Sequence, residues 1–283
     1  MLTFQNPEWI NKFNFPYQRF EDIPQHIFDD INYCLVQRIS SKPLVTILIS
    51  AWNEEINILR SVASLSRQDT SLPYEIIVVN NNSKDKTQQT IDKLNIRSFF
   101  EEKQGCGPAR QKGQENALGK YILLADADSF YPPKWIDEMI TELSKPSVVV
   151  VYGRYAFISE KGFPRWQLVI LETLKNIIVE IRHAKRPFLN TYGLSMGYVK
   201  ELGLKVGFIT SRFWGDDGAL TYDLMKYGEV RQVKSKKATI WTYPRTLQRD
   251  GTFLQAFTKR IVKDIARFGD FFHSKMKSHA PRN

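Results

Sequence analysis

Two acidic pairs hold the chemistry this sequence can do. In KYILLADADSFYPP, residues 120–133, an apolar run ends in Asp126 and Asp128, one residue apart, ahead of a turn-prone Pro-Pro. Residues i and i+2 of an extended segment point to one face, so both carboxyls can aim into one site. Converging carboxylates repel each other. A hard divalent cation, Mn²⁺ or Mg²⁺, relieves that repulsion and keeps phosphate oxygens and water in its shell, so the pair suits metal-assisted phosphate chemistry. The plain alternative is a surface turn with two solvated aspartates. The second pair, Asp216 and Asp217, opens a helical pattern carried by Leu220, Leu224 and Met225. Acidic residues in a first helical turn complement the dipole.

Such side chains need elements to aim them. LVTILIS, residues 44–50, is a β-rich apolar run, and NEEINILRSVASLSRQ turns Ile56, Leu59, Val62, Ala63 and Leu65 to one helical face. YEIIVVN ends at Asn80, and Asp85 with Gln88 three residues on has the spacing of a capping box. A weaker strand in IRSFFEE precedes a helix in GCGPARQKGQENALG. Strands alternating with helices predict an α/β fold with a mostly parallel, doubly covered sheet, whose ligands bind beyond the carboxyl ends of the strands. Asp126 and Asp128 fall at such an end. The first forty residues read as an irregular, aromatic-rich extension packed on the body. From Trp166, WQLVILETLKNIIVEIRHAKRPF predicts a strongly apolar helix, a core or dimer face by default, with an acceptor- or lipid-facing surface as the other reading. His183 reads as solvated, and Trp214, Trp241 and Tyr243 either stack on a sugar or pack in the core.

A chain of 283 residues, 42% hydrophobic, can bury its own core without staples. Its only cysteines, Cys34 and Cys106, cannot form a disulfide framework. No run approaches the ~18 apolar residues of a membrane span, and the N-terminus lacks a basic segment followed by an apolar one, so a cytoplasmic protein, soluble or peripheral, is expected. The net charge of +10 belongs to the end of the chain: residues 231–283 hold 13 Lys/Arg against 3 Asp/Glu, and the rest balances. There TFLQAFTKRIVKDIARFGDFF places Leu254, Phe257, Ile261, Ile265, Phe268 and Phe272 on one helical stripe, with Lys259, Arg260, Lys263 and Arg267 mostly off it. This basic amphipathic helix either docks on the body or meets an anionic membrane surface. No nucleic-acid motif accompanies the charge, so nucleic acid is not an expected partner.

Taken in order, TILISAWNEE, EIIVVNNNSKDKT, GCGPARQKGQENALGKYILLADAD and GDDGALTYDLMKYG resemble the motif set of glycosyltransferase family 2, nucleotide-sugar-dependent enzymes of GT-A fold. The resemblance covers residues 44–228. It implies that Ser50, Ala51, Trp52 and Glu54 line a nucleotide pocket, and that Asn80 stands where an Asp usually contacts base or ribose. The amide changes the supply of donors and acceptors. Gly105 and Arg110 match a G-x-x-x-A-R element beside the nucleotide, with Gln111 in place of the usual Asn. Asp126 corresponds to the ribose-side carboxylate, Asp128 to the metal ligand, and Asp217 to the general base, with Asp216 in support or as the less favoured base. Residues 190–208 correspond to the donor-sugar and acceptor pocket, where Gly193, Gly197 and Gly203 could equally be turn residues.

The implied reaction is an inverting, metal-assisted single displacement from a nucleoside-diphosphate sugar, a UDP-sugar favoured over a GDP-sugar, to a carbohydrate or lipid-linked hydroxyl, as in cell-surface polysaccharide or glycolipid synthesis. The absence of a Q-x-x-R-W element favours single-sugar transfer. A non-catalytic nucleotide-sugar-binding protein and a sugar nucleotidyltransferase are the alternatives, and a homodimer is an open partner. The expected organisation is an extension over 1–42, a GT-A domain over 43–245 with its nucleotide half at 43–130 and acceptor half at 131–245, and a basic helical tail over 246–283.

Overall fold

The computed structural model of the protein describes residues 4–210 and 215–249, with 255, 258 and 259 beyond them. Its elements begin with α1 (Glu8–Asn11), α2 (Gln25–Arg38), β1 (Val45–Ala51), α3 (Asn57–Leu65), β2 (Tyr74–Asn80), α4 (Thr87–Asp92) and β3 (Arg97–Phe100). They continue with α5 (Cys106–Asn116), β4 (Tyr121–Asp126), β5 (Ser129–Phe130), α6 (Trp135–Leu143), β6 (Val148–Tyr152), β7 (Tyr155–Phe157) and α7 (Arg165–Lys185). The last are β8 (Met196–Val199), α8 (Lys200–Val206), α9 (Asp216–Leu224), β9 (Glu229–Gln232), β10 (Ile240–Thr242) and α10 (Arg245–Arg249).

Strands β3, β2, β1 and β4 run parallel, and β8 enters antiparallel between β4 and β6, giving a seven-stranded order β3-β2-β1-β4-β8-β6-β9. This mixed, mostly parallel sheet with helices on its faces is the expected α/β fold. Every residue of β2 and all but one of β1 are buried, as strands covered on both faces require. The helix predicted from the 3.6-residue pattern buries Ile58, Leu59, Val62, Ala63 and Leu65 against them. A second sheet, β5-β10-β7, stands beside the first.

Three sequence expectations change. Residues 25–38 are a regular helix, not irregular chain, because Phe28, Ile31 and Leu35 recur at helical spacing and pack into the main core. The D-A-D triplet is not extended: β4 ends at Asp126, and the chain turns through Ala127 and Asp128 into β5, which pairs antiparallel with β10. The capping box does not form. Asp85 accepts from the Thr87 N–H at 3.0 Å, but the Gln88 side chain reaches Asn80 and Asp92 instead of closing it.

The inner face of α7 is tied to the small sheet by a buried ion pair. Glu172 accepts both Nη atoms of Arg165 at 2.7 Å each and the Phe157 N–H of β7 at 2.7 Å. Arg165 in turn lies 4.8 Å over the buried ring of Trp241 in β10, so Trp241 packs in the core. Trp214 and most of the expected basic helix lie outside the described residues; Gln255, Thr258 and Lys259 are helical and exposed. No helix among the described residues is long and apolar enough to cross a membrane.

Replacing Glu172 by Ala strands the Arg165 guanidinium and an amide N–H in the interior, so chemical denaturation should show a loss of about 3–5 kcal/mol, whereas Arg165→Met with Glu172→Leu together should recover most of it.

Candidate functional site

At the carboxyl end of β4 a cavity of about 540 Å³ opens, walled by Arg110, Asp126, Asp128, Tyr192, Asp217 and Arg245 among others. Arg110 sits at its floor on α5. That helix starts where the backbone can turn sharply: Gly105 has φ 137°, and its N–H donates to Asn81 Oδ1 at 2.7 Å. Asn81 also donates to the carbonyls of Glu101 and Lys103, which clamps the loop entering α5.

The guanidinium of Arg110 is buried and bridges three carboxyls. Nη1 donates to Asp216 Oδ2 at 2.7 Å and also meets Asp217 Oδ1, while Nη2 lies 3.7 Å from Asp126 Oδ1. Burial alone would lower its pKa, but Asp217 and Asp216 more than offset that and hold it charged, well above the ordinary range. Asp217 accepts a further bond from the Gly193 N–H at 3.0 Å. Burial nevertheless pushes Asp217 up to about 6, with Arg110 opposing and Asp216 adding to the shift.

Asp126 has its main chain pinned. Its N–H donates to Tyr131 Oη at 2.7 Å and its carbonyl accepts from Ser61 Oγ at 3.2 Å, leaving the carboxyl to face the cavity. Burial raises Asp126 to about 7, against Arg110, and Asp128 adds to the rise. Asp128 is raised as well, chiefly by burial, although Arg245 stands 3.5 Å away. Arg245 forms a fork on Glu54 at 2.7 and 2.9 Å, reaching it from the loop beyond β10. Five carboxyls, on Glu54, Asp126, Asp128, Asp216 and Asp217, thus face two guanidiniums. Burial first, and the neighbouring carboxylates after it, keep Asp126 and Asp217 only weakly acidic, and the surplus negative charge makes the cavity receptive to a cation.

The other expected nucleotide residues occupy the adjoining sheet edge rather than the cavity wall. Ser50 pairs in register with Asp126 and Ala51 with Asn80, so these four occupy two successive rows at the carboxyl end. Trp52 stands just beyond, half exposed. Asn80 is buried with its amide donating to Gln88 Oε1 at 2.7 Å and its carbonyl oxygen accepting from Ser83 N–H at 3.1 Å. It therefore shapes the loop after β2.

Comparison with known proteins decides the family. Residues 46–203, more than half of the chain, match the family described as Glycosyl transferase family 2. The chain belongs to glycosyl transferase family 2. An uncharacterized glycosyltransferase of Rickettsia typhi is 37% identical over 126 residues, 42% of this chain and 39% of the relative. One of Rickettsia felis is 34% identical over 126 residues, 42% of this chain and 21% of its own length. The chain thus spans only about a fifth to two-fifths of these relatives. Among solved structures, S. aureus TarS 1-349 in complex with UDP-GlcNAc superposes with a TM-score of 0.57 at 19% identity, over 71% of this chain and 58% of that one. The mannosyltransferase PcManGT from Pyrobaculum calidifontis, in complex with GDP-Man and Mn²⁺, gives 0.54 at 17% identity, over 84% and 75%. These likenesses establish the GT-A fold.

Within this family member, several site features were invisible in the sequence. Arg245 follows β10 in a segment with no local pattern, and only the β5–β10 pairing brings it to Asp128. Tyr131 is buried, and nothing in the local sequence marks that its hydroxyl orders Asp126. Gly193, Gly197 and Gly203 are not plain turn residues: a Cβ on Gly193 would lie 1.7 Å from Arg110 Nη2, one on Gly197 2.5 Å from Leu123 and one on Gly203 2.3 Å from Tyr198. His183 is not simply solvated, since its Nδ1 lies 2.8 Å from the buried Tyr152 hydroxyl and burial lowers its pKa.

Gly193→Ala should therefore displace the Arg110 guanidinium, lowering the melting temperature by about 5 °C or more and catalytic turnover at least ~100-fold, measurable by calorimetry and donor consumption.

Proposed function

We propose that this chain moves one sugar from a nucleoside-diphosphate sugar to an acceptor hydroxyl in a single, inverting displacement. The observation that carries the reading is that Asp128 and Asp217, from the strand-end turn and from the start of α9, face one cavity, with Arg245 beside the first and Arg110 paired to the second. On this reading residues 43–130 bind the nucleotide and 131–245 shape the acceptor side. The UDP-sugar is the favoured donor and a GDP-sugar the alternative; relatives in fold carry both kinds.

The donor set fits a divalent cation. Among the described residues no cluster of three or more Asp, Glu, His or Cys side chains encloses a metal site, but Mg²⁺ and Mn²⁺ commonly take one or two carboxylates and complete their shell with water and substrate phosphates. Asp128, with Asp126 beside it, would hold it. When bound, the ion supplies Lewis-acid neutralisation of the charge growing on the leaving diphosphate.

The protein's own groups supply the remainder. Ser50, Ala51, Trp52, Glu54 and Gly105 frame the nucleotide at the sheet edge, with Asn80 ordering the loop behind them. Arg110 holds Asp217 in place and supports its charged form against burial. The acceptor O–H donates to an Asp217 carboxylate oxygen, which takes the proton as the new glycosidic bond forms and the bond to the diphosphate breaks. Asp216, more buried than Asp217 and paired to the same guanidinium, orients that guanidinium.

The reading is tested by thermal stability against UDP, GDP, CDP and dTDP, each with and without Mn²⁺. A ligand at ~100 Kd should add about 2.7 kcal/mol. One nucleotide should give a Mn²⁺-dependent shift that Asp128→Ala loses while remaining folded; no shift with any nucleotide would refute it.

The base assignment has its own signature. Because Asp217 must be ionised to accept a proton and its pKa is near 6, kcat should fall tenfold per pH unit below about 6 and level off above it. Asp217→Asn should lower kcat by ~10²- to 10⁴-fold with donor affinity retained, and flatten that limb. An unchanged profile in Asp217→Asn would move the role to Asp216.

A further inference from the structure

The outer face of α7 has no partner in the chain as described. Trp166, Ile170, Leu174, Ile177 and Ile181 recur at spacings of four, four, three and four residues, which sets them in one stripe opposite Leu168, Glu172 and Val179. Each is between 37% and 56% exposed. The stripe runs about 22 Å along the helix. The other exposed positions of α7 are Ala184 and Lys185, so no acidic side chain interrupts the face. The nearest carboxylate, Glu180, is already engaged by Arg154 at 2.9 Å and Lys234 at 2.6 Å. A contiguous apolar surface of roughly 500 Å² is near the upper end for a monomer and marks a contact face.

We infer that this face of α7 docks on the surface of an anionic phospholipid bilayer. Charge selects the occupant. The stripe ends in Trp166 on one side and in a basic last turn, Arg182, His183 and Lys185, on the other, the residue types that settle at headgroup level. Leu247 of α10 packs in one cluster with Leu168 and Leu171 of α7, and the sequence from 248 to 283 holds 8 Lys/Arg against 3 Asp/Glu. Phe157 belongs to the same cluster and lines the cavity, so the inner face of α7 backs the wall of the site and the stripe faces away from it. A second copy on the stripe would bury only about 1,000 Å² in total, the lower limit for a stable interface, and would bring two basic segments together. With its apolar face in the headgroup boundary, α7 lies along the surface and does not cross it. The inference is independent of the chemistry in the cavity.

Sedimentation with vesicles of phosphatidylcholine and phosphatidylglycerol tests it on the full chain. The wild type should pellet with them, more weakly with phosphatidylcholine alone. Ile170→Ser, Ile177→Ser and Ile181→Ser together should weaken binding by at least ~100-fold while the melting temperature stays within a few degrees. Ile177→Glu alone should reproduce much of the loss and Ile177→Lys should not, a difference of sign that an unfolded chain would not give. The inference is overturned if the wild type stays in the supernatant. It is equally overturned if the triple variant binds as well as wild type, which puts membrane attraction on the basic segment alone, or if the stripe variants abolish a concentration-dependent dimer without affecting vesicle binding. A nucleotide-induced thermal shift in the same samples reports on the transferase reading separately.

Discussion

A single buried guanidinium sets the terms for this protein. Arg110 is surrounded by Asp126, Asp216 and Asp217, and no one of these carboxylates could be buried at such proximity to the others without it. The fold is arranged to admit that side chain. Gly193 leaves the space its Nη2 occupies, Gly107 lets α5 approach the backbone at Ile209, and the Asn81 clamp sets where α5 begins. Burial raises Asp126 and Asp217 to within reach of neutral pH, and the one guanidinium they share opposes that rise only in part.

The sheets place the second positive group. Turning at Asp128 into β5 costs the extended geometry of the triplet, but it lets β5 pair with β10, and β10 delivers Arg245 to Glu54 and Asp128. Glu54 comes from beyond β1, so this fork ties the end of the described chain to the first strand of the sheet. The buried Arg165–Glu172 pair holds β7 and α7 together behind the same wall. The site is thus defined by two guanidinium centres, one on the floor and one at the rim, with five carboxyls shared between them.

Much of this was legible in sequence, and for a physical reason. The runs at β1, β2 and β4 and the 3.6-residue pattern of α3 report burial, which side-chain type reveals directly. Asp126, Asp128 and Asp217 were found because carboxylates at the ends of apolar elements are costly and stand out, and the family motif order added Arg110. What stayed hidden depends on long-range pairing. Arg245 and Glu54 are 191 residues apart, Tyr131 looks like core, and the requirement at Gly193 comes from a guanidinium 83 positions earlier. Asn80 was set beside the nucleotide by the family resemblance; that its buried amide also orders the loop after β2 depends on contacts with Gln88 and Ser83 that no motif announces.

The account stands most directly on the stereochemistry of transfer. In the proposed reaction Asp217 takes the acceptor proton and Asp128 stands on the diphosphate side, which calls for one displacement, from the face opposite the leaving group. The measurement is the anomeric configuration of the first product formed from a donor of known configuration, read by proton NMR before mutarotation. The account predicts inversion. Retention would contradict it, because it requires either a covalent intermediate or a front-face path, neither of which gives Asp217 the role assigned to it here.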